Sequence, residues 1–171
     1  MREREEESRG HPQGGGAHPA LTREGNLSAE DLLWKLKKSY PFFADLSQAE
    51  IVHLLRLCER QIYQAGDVIF RRGAPGESFY LILSGQVVIQ AGDKEFARLE
   101  VGECFGEMGV IDNAPRSATA RAAERTLVLR IDPSVLAGHE PALSCKLLAK
   151  VARQLSARLR EVNEKLWKIL P

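Results

Sequence analysis

The sequence predicts an α+β fold in which a β-roll or jelly-roll barrel lies between helices. Three observations carry that class. Between Arg60 and Asp132, apolar residues alternate in short runs such as Val68/Phe70, Phe79/Leu81/Leu83 and Leu127/Leu129/Ile131, with glycine or charged turns between them. Upstream of that stretch the apolar spacing is helical. Downstream, a stripe of three- and four-residue steps runs from Leu143 to Ile169.

Taken in order, residues 1–25 form a tail. Met1 to Arg9 is nearly all charge, and His11 to Pro19 is rich in glycine, proline and histidine. A segment with nothing to bury cannot offset its ordering entropy, so it reads as disordered. His11 and His18 have no partner at metal-ligand spacing and belong to that solvated tail. Residues 26–60 form a helical preface. Ser28 with Asp31 resembles a capped helix start, and Leu32, Leu33, Leu36 and Tyr40 trace one face until Pro41 ends it. Ser47 with Glu50 makes a capping box for a second helix, which puts Ile51, Leu54, Leu55 and Cys58 on one side. Residues 61–132 hold the strands. The run Val87-Val88-Ile89 fits a strand buried on both faces or lining a pocket, and Gly92-Asp93 fits a hairpin turn. Residues 133–171 are helical again: a short segment from Pro133 to Gly138, then a long helix whose first turn holds Pro141. Its stripe through Leu143, Leu147, Val151, Leu155, Leu159, Val162, Leu166 and Ile169 is longer than one small barrel can cover. A lid over a pocket and a dimer seam both fit it. From Leu155 the steps alternate four and three, as a two-stranded coiled coil needs.

Composition narrows the function. At 171 residues and a net charge of +1, the chain is one domain with appendages and has no global pull toward nucleic acid or membrane. Cys58, Cys104 and Cys145 are widely spaced and odd in number, so they read as small buried apolar residues rather than a disulfide framework. No apolar run reaches membrane-spanning length and the N-terminus is too charged for a signal peptide, which gives a cytoplasmic expectation. No catalytic set and no metal site are read: His53 and His139 stand apart, and three thiols are too few for an iron–sulfur cluster.

The most informative stretch is Phe105 to Ala122, F-G-E-M-G-V-I-D-N-A-P-R-S-A-T-A-R-A. Gly106 lets backbone N–H groups approach an anion. Glu107 opens a short helical turn to Ile111, whose first N–H groups are unpaired and partly positive. A carboxylate there would repel a phosphate unless it served a sugar hydroxyl. Ten residues after Gly106, Arg116 offers a planar fork suited to a phosphate diester, followed by the Ser117 hydroxyl and the small Ala118.

These residues resemble the phosphate-binding cassette of cyclic-nucleotide-binding domains, as in the protein kinase A regulatory subunit, cyclic-nucleotide-gated channels and the catabolite activator protein. The likeness extends upstream to Gly66-Asp67-Val68-Ile69-Phe70, Arg72-Gly73 and Gly76 to Gly85, and covers about Phe42 to Trp167. It implies an eight-stranded roll with N-terminal helices, a short cassette helix (cassette about 104–120) and a long C-terminal helix. It assigns Gly106, Arg116, Ser117 and Ala118 to the phosphate, Glu107 to the ribose, and Val88, Phe105 and Met108 to the pocket wall. An Arg116–Glu107 ion pair in the empty pocket is compatible with these roles and equally with a surface arginine and a helix-dipole glutamate. At the position of Ser117 the family's threonine goes with cGMP and its serine or alanine with cAMP, which points to cAMP. For the base, the helix positions are Arg158 and Leu159, where the catabolite activator protein has Thr-Ser; channel-type members set a helix arginine against the purine.

The sequence stops at Pro171, right after the long helix, with no helix-turn-helix segment, so direct DNA binding is not expected. The resulting expectation is a stand-alone, non-enzymatic receptor with cAMP as ligand and no cofactor. It would dimerise through the long helix and signal to an unknown protein effector. The rivals are an interaction module that keeps the fold without a ligand, and a receptor subunit whose output domain sits on another chain.

Overall fold

The third strand of the molecule, Phe79–Ser84, reads F-Y-L-I-L-S and is apolar at every position but the last, so both of its faces must be covered. The computed structural model, which describes residues 29–137 and 140–169, shows how. Phe79 and Leu81 join a core shared with the helices, while Tyr80 and Ile82 join a second core between two sheets. The N-terminal tail, Ser28, Gly138 and Pro171 lie outside the described residues.

Eight strands make two four-stranded antiparallel sheets rather than one closed barrel, an open β-roll. The first has the order β1 (Glu59–Tyr63), β8 (Thr126–Ile131), β3 (Phe79–Ser84), β6 (Cys104–Phe105). The second has the order β2 (Val68–Phe70), β7 (Thr119–Ala122), β4 (Val87–Ala91), β5 (Lys94–Leu99). Ile82, Val87, Leu99, Phe105, Ala120 and Val128 meet between them. The Gly92-Asp93 turn joins β4 to β5 as expected. Register follows burial: Val128 in β8 points to the inter-sheet core, and its neighbours Leu129 and Ile131 contribute to the helical one.

The helical core is built by α1 (Ala29–Ser39), the 3-10 turn Pro41–Phe43, α2 (Gln48–Leu57), α4 (Pro133–Leu136) and α5 (Pro141–Trp167). Phe42 and Phe43 are buried edge to face, and the Tyr40 hydroxyl donates to the Leu83 carbonyl at 2.7 Å. On α5 the faces of Leu143, Leu147 and Val151 are buried, which seats its first half on the roll. Beyond Leu155 the stripe emerges: Leu159, Val162, Leu166 and Ile169 are all exposed. Of the three cysteines, Cys104 is buried and Cys58 half-buried, but Cys145 is exposed, contrary to the reading of all three as core residues. It lies on the solvent side of the α5 stripe, two residues past Leu143.

Ser47 caps α2 reciprocally with Glu50: the Glu50 N–H donates to Ser47 Oγ at 3.2 Å and the Ser47 N–H to Glu50 Oε2 at 2.6 Å. The same carboxylate accepts from Lys146 of α5 at 2.7 Å, so one side chain caps α2 and ties it to α5. The Lys146 amine and the Ser47 N–H hold the Glu50 carboxyl down at about 2. A depressed carboxylate contributes stability above its unfolded value and loses it as pH falls through the folded one. We therefore expect Ser47→Ala to cost ~1 kcal/mol near neutral pH in a denaturant titration. In Lys146→Met, which removes the cation that most lowers Glu50, the difference from the parent should shrink between the ordinary glutamate range and about pH 2, where Glu50 becomes protonated.

Candidate functional site

A cavity of about 830 Å³ opens between the second sheet and the distal half of α5. Its floor is Ile89, Ala97 and Leu99 of β4 and β5; its walls are Phe105 to Gly109 on one side and Arg116 to Ala118 on another. Leu155, Arg158, Leu159 and Val162 of α5 form the remaining side.

Arg116 is only 5% exposed. A buried guanidinium needs its donors filled, and backbone oxygens fill those of the fork: Nη1 donates to the Gly106 carbonyl at 2.6 Å and Nη2 to the Ser78 carbonyl, while Nε is buried without a partner. Its plane lies over the Phe70 ring, 4.2 Å from the centroid. Phe70 in turn belongs to an aromatic trio with Tyr80 and Phe105, the last two stacked at 5.1 Å. Burial pulls the guanidinium's pKa below its usual value. Among the described residues no carboxylate pairs with it.

The main chain holds Arg116 as firmly. Its N–H donates to the Ala74 carbonyl and its carbonyl accepts from Gly73, both at 2.8 Å. That loop packs backbone to backbone on α3 (Glu107–Ile111): a Cβ on Gly76 would lie 2.7 Å from the Gly109 Cα and 2.6 Å from the Ala114 carbonyl. Gly106 sits in the left-handed region at φ +79°, and a Cβ there would lie 2.7 Å from Arg116 Nη1. The glycine thus makes room for the guanidinium, a tighter demand than the approach of an anion read from the sequence.

Glu107 is buried, 5% exposed. Arg158 of α5 donates to its Oε1 at 3.2 Å, while Oε2 is buried with no partner. Burial raises the carboxyl's pKa, opposed by its own backbone N–H, Arg158 and Arg116. An Arg116–Glu107 ion pair is not formed, because each partner is committed elsewhere. Arg116 is taken by carbonyls and Glu107 by Arg158. Arg158 does not lie free over the cavity either. It also donates to Glu103 at 3.2 Å and to the Cys104 carbonyl at 2.6 Å. One turn earlier, Gln154 accepts from the Cys104 N–H at 2.9 Å and donates to the Gly102 carbonyl at 3.2 Å. β6 is an edge strand, and these two α5 side chains satisfy its outward-facing N–H and C=O.

Gly106, Glu107, Arg116, Ser117 and Ala118 therefore converge on one cavity, with Phe105, Met108, Arg158 and Leu159 also lining it. Ser117 is exposed at the mouth, whereas Ala118 is buried. Val88 is the correction among the wall residues. It does not line the cavity, because alternation along β4 gives that face to Val87 and Ile89, and Ile89 reaches the floor. Sequence reading missed the cradle of Arg116, namely Phe70, Tyr80 and the Ser78 carbonyl, and it missed Glu103 and Gln154. Gln154 carried a faint signal, a polar residue three positions after Val151 on the buried face of α5. A backbone carbonyl carries none.

Because Gly106 combines a left-handed φ with a 2.7 Å approach to Arg116, Gly106→Ala should destabilise the fold by about 1–2 kcal/mol. Thermal unfolding measures that loss. A variant as stable as the parent would mean that the close approach relaxes freely.

The comparisons with known proteins agree with this geometry. The profile of the family described as "Cyclic nucleotide-binding domain" matches residues 60–138. The chain is 37% identical over 134 residues to the cyclic AMP receptor protein of Thermus thermophilus, covering 74% of this chain and 60% of that protein. It is 31% identical over 111 residues to a cAMP-dependent protein kinase regulatory subunit of Mycosarcoma maydis, covering 63% and 21%. Among solved structures, a cyclic nucleotide-binding domain from Methylobacillus flagellatus superposes with a TM-score of 0.71 at 26% identity, covering 84% of each chain. The Thermus thermophilus catabolite activator protein does so with 0.63 at 33% identity, covering 75% of this chain and 62% of that one. Against the curated relatives it matches, the chain spans from 21% to 60% of their length. The matched residues are those that form the roll and hold Arg116 over the cavity, and this chain belongs to the cyclic nucleotide-binding domain family.

Proposed function

We propose that this chain is a cAMP receptor module that passes ligand binding on to a protein partner through α5. One observation carries the reading: a buried Arg116 guanidinium, held by two carbonyls and lacking a carboxylate, lines the same cavity as Glu107, whose buried Oε2 has no partner. A cyclic phosphate on the Arg116 side neutralises the uncompensated charge. A ribose hydroxyl on the other side donates to Oε2. Ser117 at the mouth favours cAMP over cGMP on the family's pattern. Ligand contacts that tighten the cassette also act on Glu107, and Glu107 is bonded to α5, so binding shifts the population of helix positions.

The test is calorimetric titration with cAMP and cGMP. The parent should bind cAMP in the micromolar range and more tightly than cGMP. Arg116→Ala should lose roughly 2–5 kcal/mol of binding, the cost of removing a charged contact from a desolvated pocket. No heat and no thermal shift with either nucleotide at millimolar concentration would sink the receptor reading.

The emerging stripe of α5 supports a homodimer. Leu159, Val162 and Leu166 continue the buried face of the helix into solvent at coiled-coil spacing, and the exposed Ile169 follows just past the helix end at Trp167. Sedimentation should show a concentration-dependent dimer. The double variant Leu166→Asp/Ile169→Asp, which lies beyond the cavity lining, should sediment as a monomer while still binding nucleotide. A parent that stays monomeric at every concentration leaves the stripe for the effector.

A further inference from the structure

Arg130 is a charged residue on a face that alternation along β8 gives to the core. It lies two positions after Val128 and shares that residue's side of the sheet. Its register partners across the first sheet are Glu59 of β1 and Tyr80 of β3, and Tyr80 pairs in turn with Phe105 of β6. Glu59, Arg130, Tyr80 and Phe105 thus form one cross-strand row that ends a residue before Gly106. The guanidinium divides its donors along this row. Nη1 pairs with Glu59 at 3.3 Å, Nη2 with Asp132 at 2.9 Å, and Nε donates to Ser78 Oγ at 3.2 Å. Ser78 is buried, and both of its polar ends are in use. Its hydroxyl also reaches the Tyr80 oxygen at 3.4 Å, and its carbonyl accepts from Arg116 Nη2. Ser78 closes the loop between β2 and β3, and that same loop clamps the Arg116 main chain at Gly73 and Ala74. One end of the loop holds the backbone of Arg116. The other holds one arm of its fork, and Arg130 fixes that end.

Resting on the receptor reading above, we propose that Arg130 is a positioning residue for Arg116, acting through Ser78 to fix the fork that meets the ligand's phosphate. Two guanidiniums on either side of one serine oppose each other. Burial above all, and the charge of Arg130 after it, lower the pKa of Arg116. Glu59 and Asp132 offset the second effect by pairing with the outer nitrogens of Arg130, which leaves Nε for Ser78. Asp132 stands at the N-cap of α4 yet makes no side-chain cap there; its carboxylate is turned to Arg130 instead. An ion-pair cluster of this kind is weak evidence for a stabilising role, since the pairs must first offset their desolvation. Its geometry is what the site uses. With only carbonyls holding the Arg116 fork, any drift of the Ser78 carbonyl moves the fork directly, and small misplacements of a binding group are costly.

The experiment titrates the full chain with cAMP and follows its thermal unfolding, for the parent, Ser78→Ala, Arg130→Met, Arg130→Lys and the Ser78→Ala/Arg130→Met double variant. Ser78→Ala and Arg130→Met should each weaken binding roughly fivefold to tenfold, the worth of one hydrogen bond to a charged group. The double variant should lose no more than either alone, because both changes remove the same bond. Arg130→Lys supplies the readout that a merely structural role would not move. Lysine keeps a cation for Glu59 and Asp132 but has no second group to spare for Ser78. Its melting temperature should return toward the parent's while its affinity stays as low as that of Arg130→Met. In an Arg116→Lys background, where the fork is gone, Arg130→Met should change affinity by less than about twofold.

Recovery of parental affinity along with stability in Arg130→Lys would overturn the proposal and leave Arg130 an ion-pair residue alone. So would losses from Ser78→Ala and Arg130→Met that multiply in the double variant. If Arg130→Met does not fold, Ser78→Ala and Arg130→Lys decide, and parental affinity in either one sinks the idea. Parental binding that ignores all of these variants would remove this inference without touching the receptor reading. Absence of nucleotide binding by the parent would remove both.

Discussion

The buried charge of Arg116 is the constraint around which the site is arranged. A guanidinium removed from water is costly unless every donor is used and its charge is met. The fold meets the first demand only in part, since Nε is buried without a partner, and leaves the second open. Carbonyls of Gly106 and Ser78 take the forked nitrogens, Phe70 lies under the plane, and the loop at Gly73 and Ala74 clamps the main chain. The glycines follow from this. Gly106 is left-handed and bare because the guanidinium occupies the space of its Cβ. Gly76 and Gly109 touch because the clamping loop must press against α3. Ser78 extends the arrangement outward, its hydroxyl accepting from Arg130, which pairs with Asp132 and Glu59 at the end of the first sheet. A preorganised cationic site of this kind gains affinity because the ordering cost is met during folding rather than on binding.

The second constraint is the open edge of the first sheet. β6 is two residues long and has β3 on one side only. Left bare, its outward N–H and C=O would be unsatisfied beside a buried cavity. Gln154 and Arg158, one turn apart on α5, supply the missing partners. Because β6 runs directly into Gly106 and Glu107, the element that fixes α5 is also the element that fixes the cassette. The helix and the ligand site therefore share a strand, which is the physical basis for transmitting a change from one to the other.

Much of this was legible in the sequence where a residue type implies its own environment. The alternation of β3 and β8, the Ser47–Glu50 box and Pro141 at the start of α5 each name their structure, because the local rule is strong and the tertiary context agrees. The cassette residues were legible as a set, and Gly106, Glu107 and Arg116 do line one cavity. The partner choices were not. An Arg116–Glu107 pair follows from charge alone, whereas the observed pairing depends on carbonyls and on a helix some forty residues further along, which no local pattern encodes. Val88 failed for a simpler reason: in a run of three β-branched residues, nothing in the sequence says which alternate positions face the cavity. Cys145 shows the reverse error, since an apolar residue type does not secure a buried place on a helix.

The charges of the cavity also explain how a ligand would be oriented in it. At the rim, Arg98 pairs with Glu95 at 2.9 Å and Lys165 with Glu161 at 2.6 Å, so those four residues largely cancel locally. Inside, the distribution is uneven. Arg158 is shared between two carboxylates, Glu103 and Glu107, which leaves that side with excess negative charge. Arg116 has no carboxylate, which leaves its side positive. The cavity is thus polarised, cationic at one end and hydrogen-bond accepting at the other, with Ile89, Ala97 and Leu99 between them. A molecule with an anionic group and a hydroxyl held rigidly on one small ring system fits that polarity in only one direction. Reversal would set its anion against Glu107 in a desolvated site, where like charges repel most strongly. A cyclic phosphodiester fused to ribose has this rigid pairing.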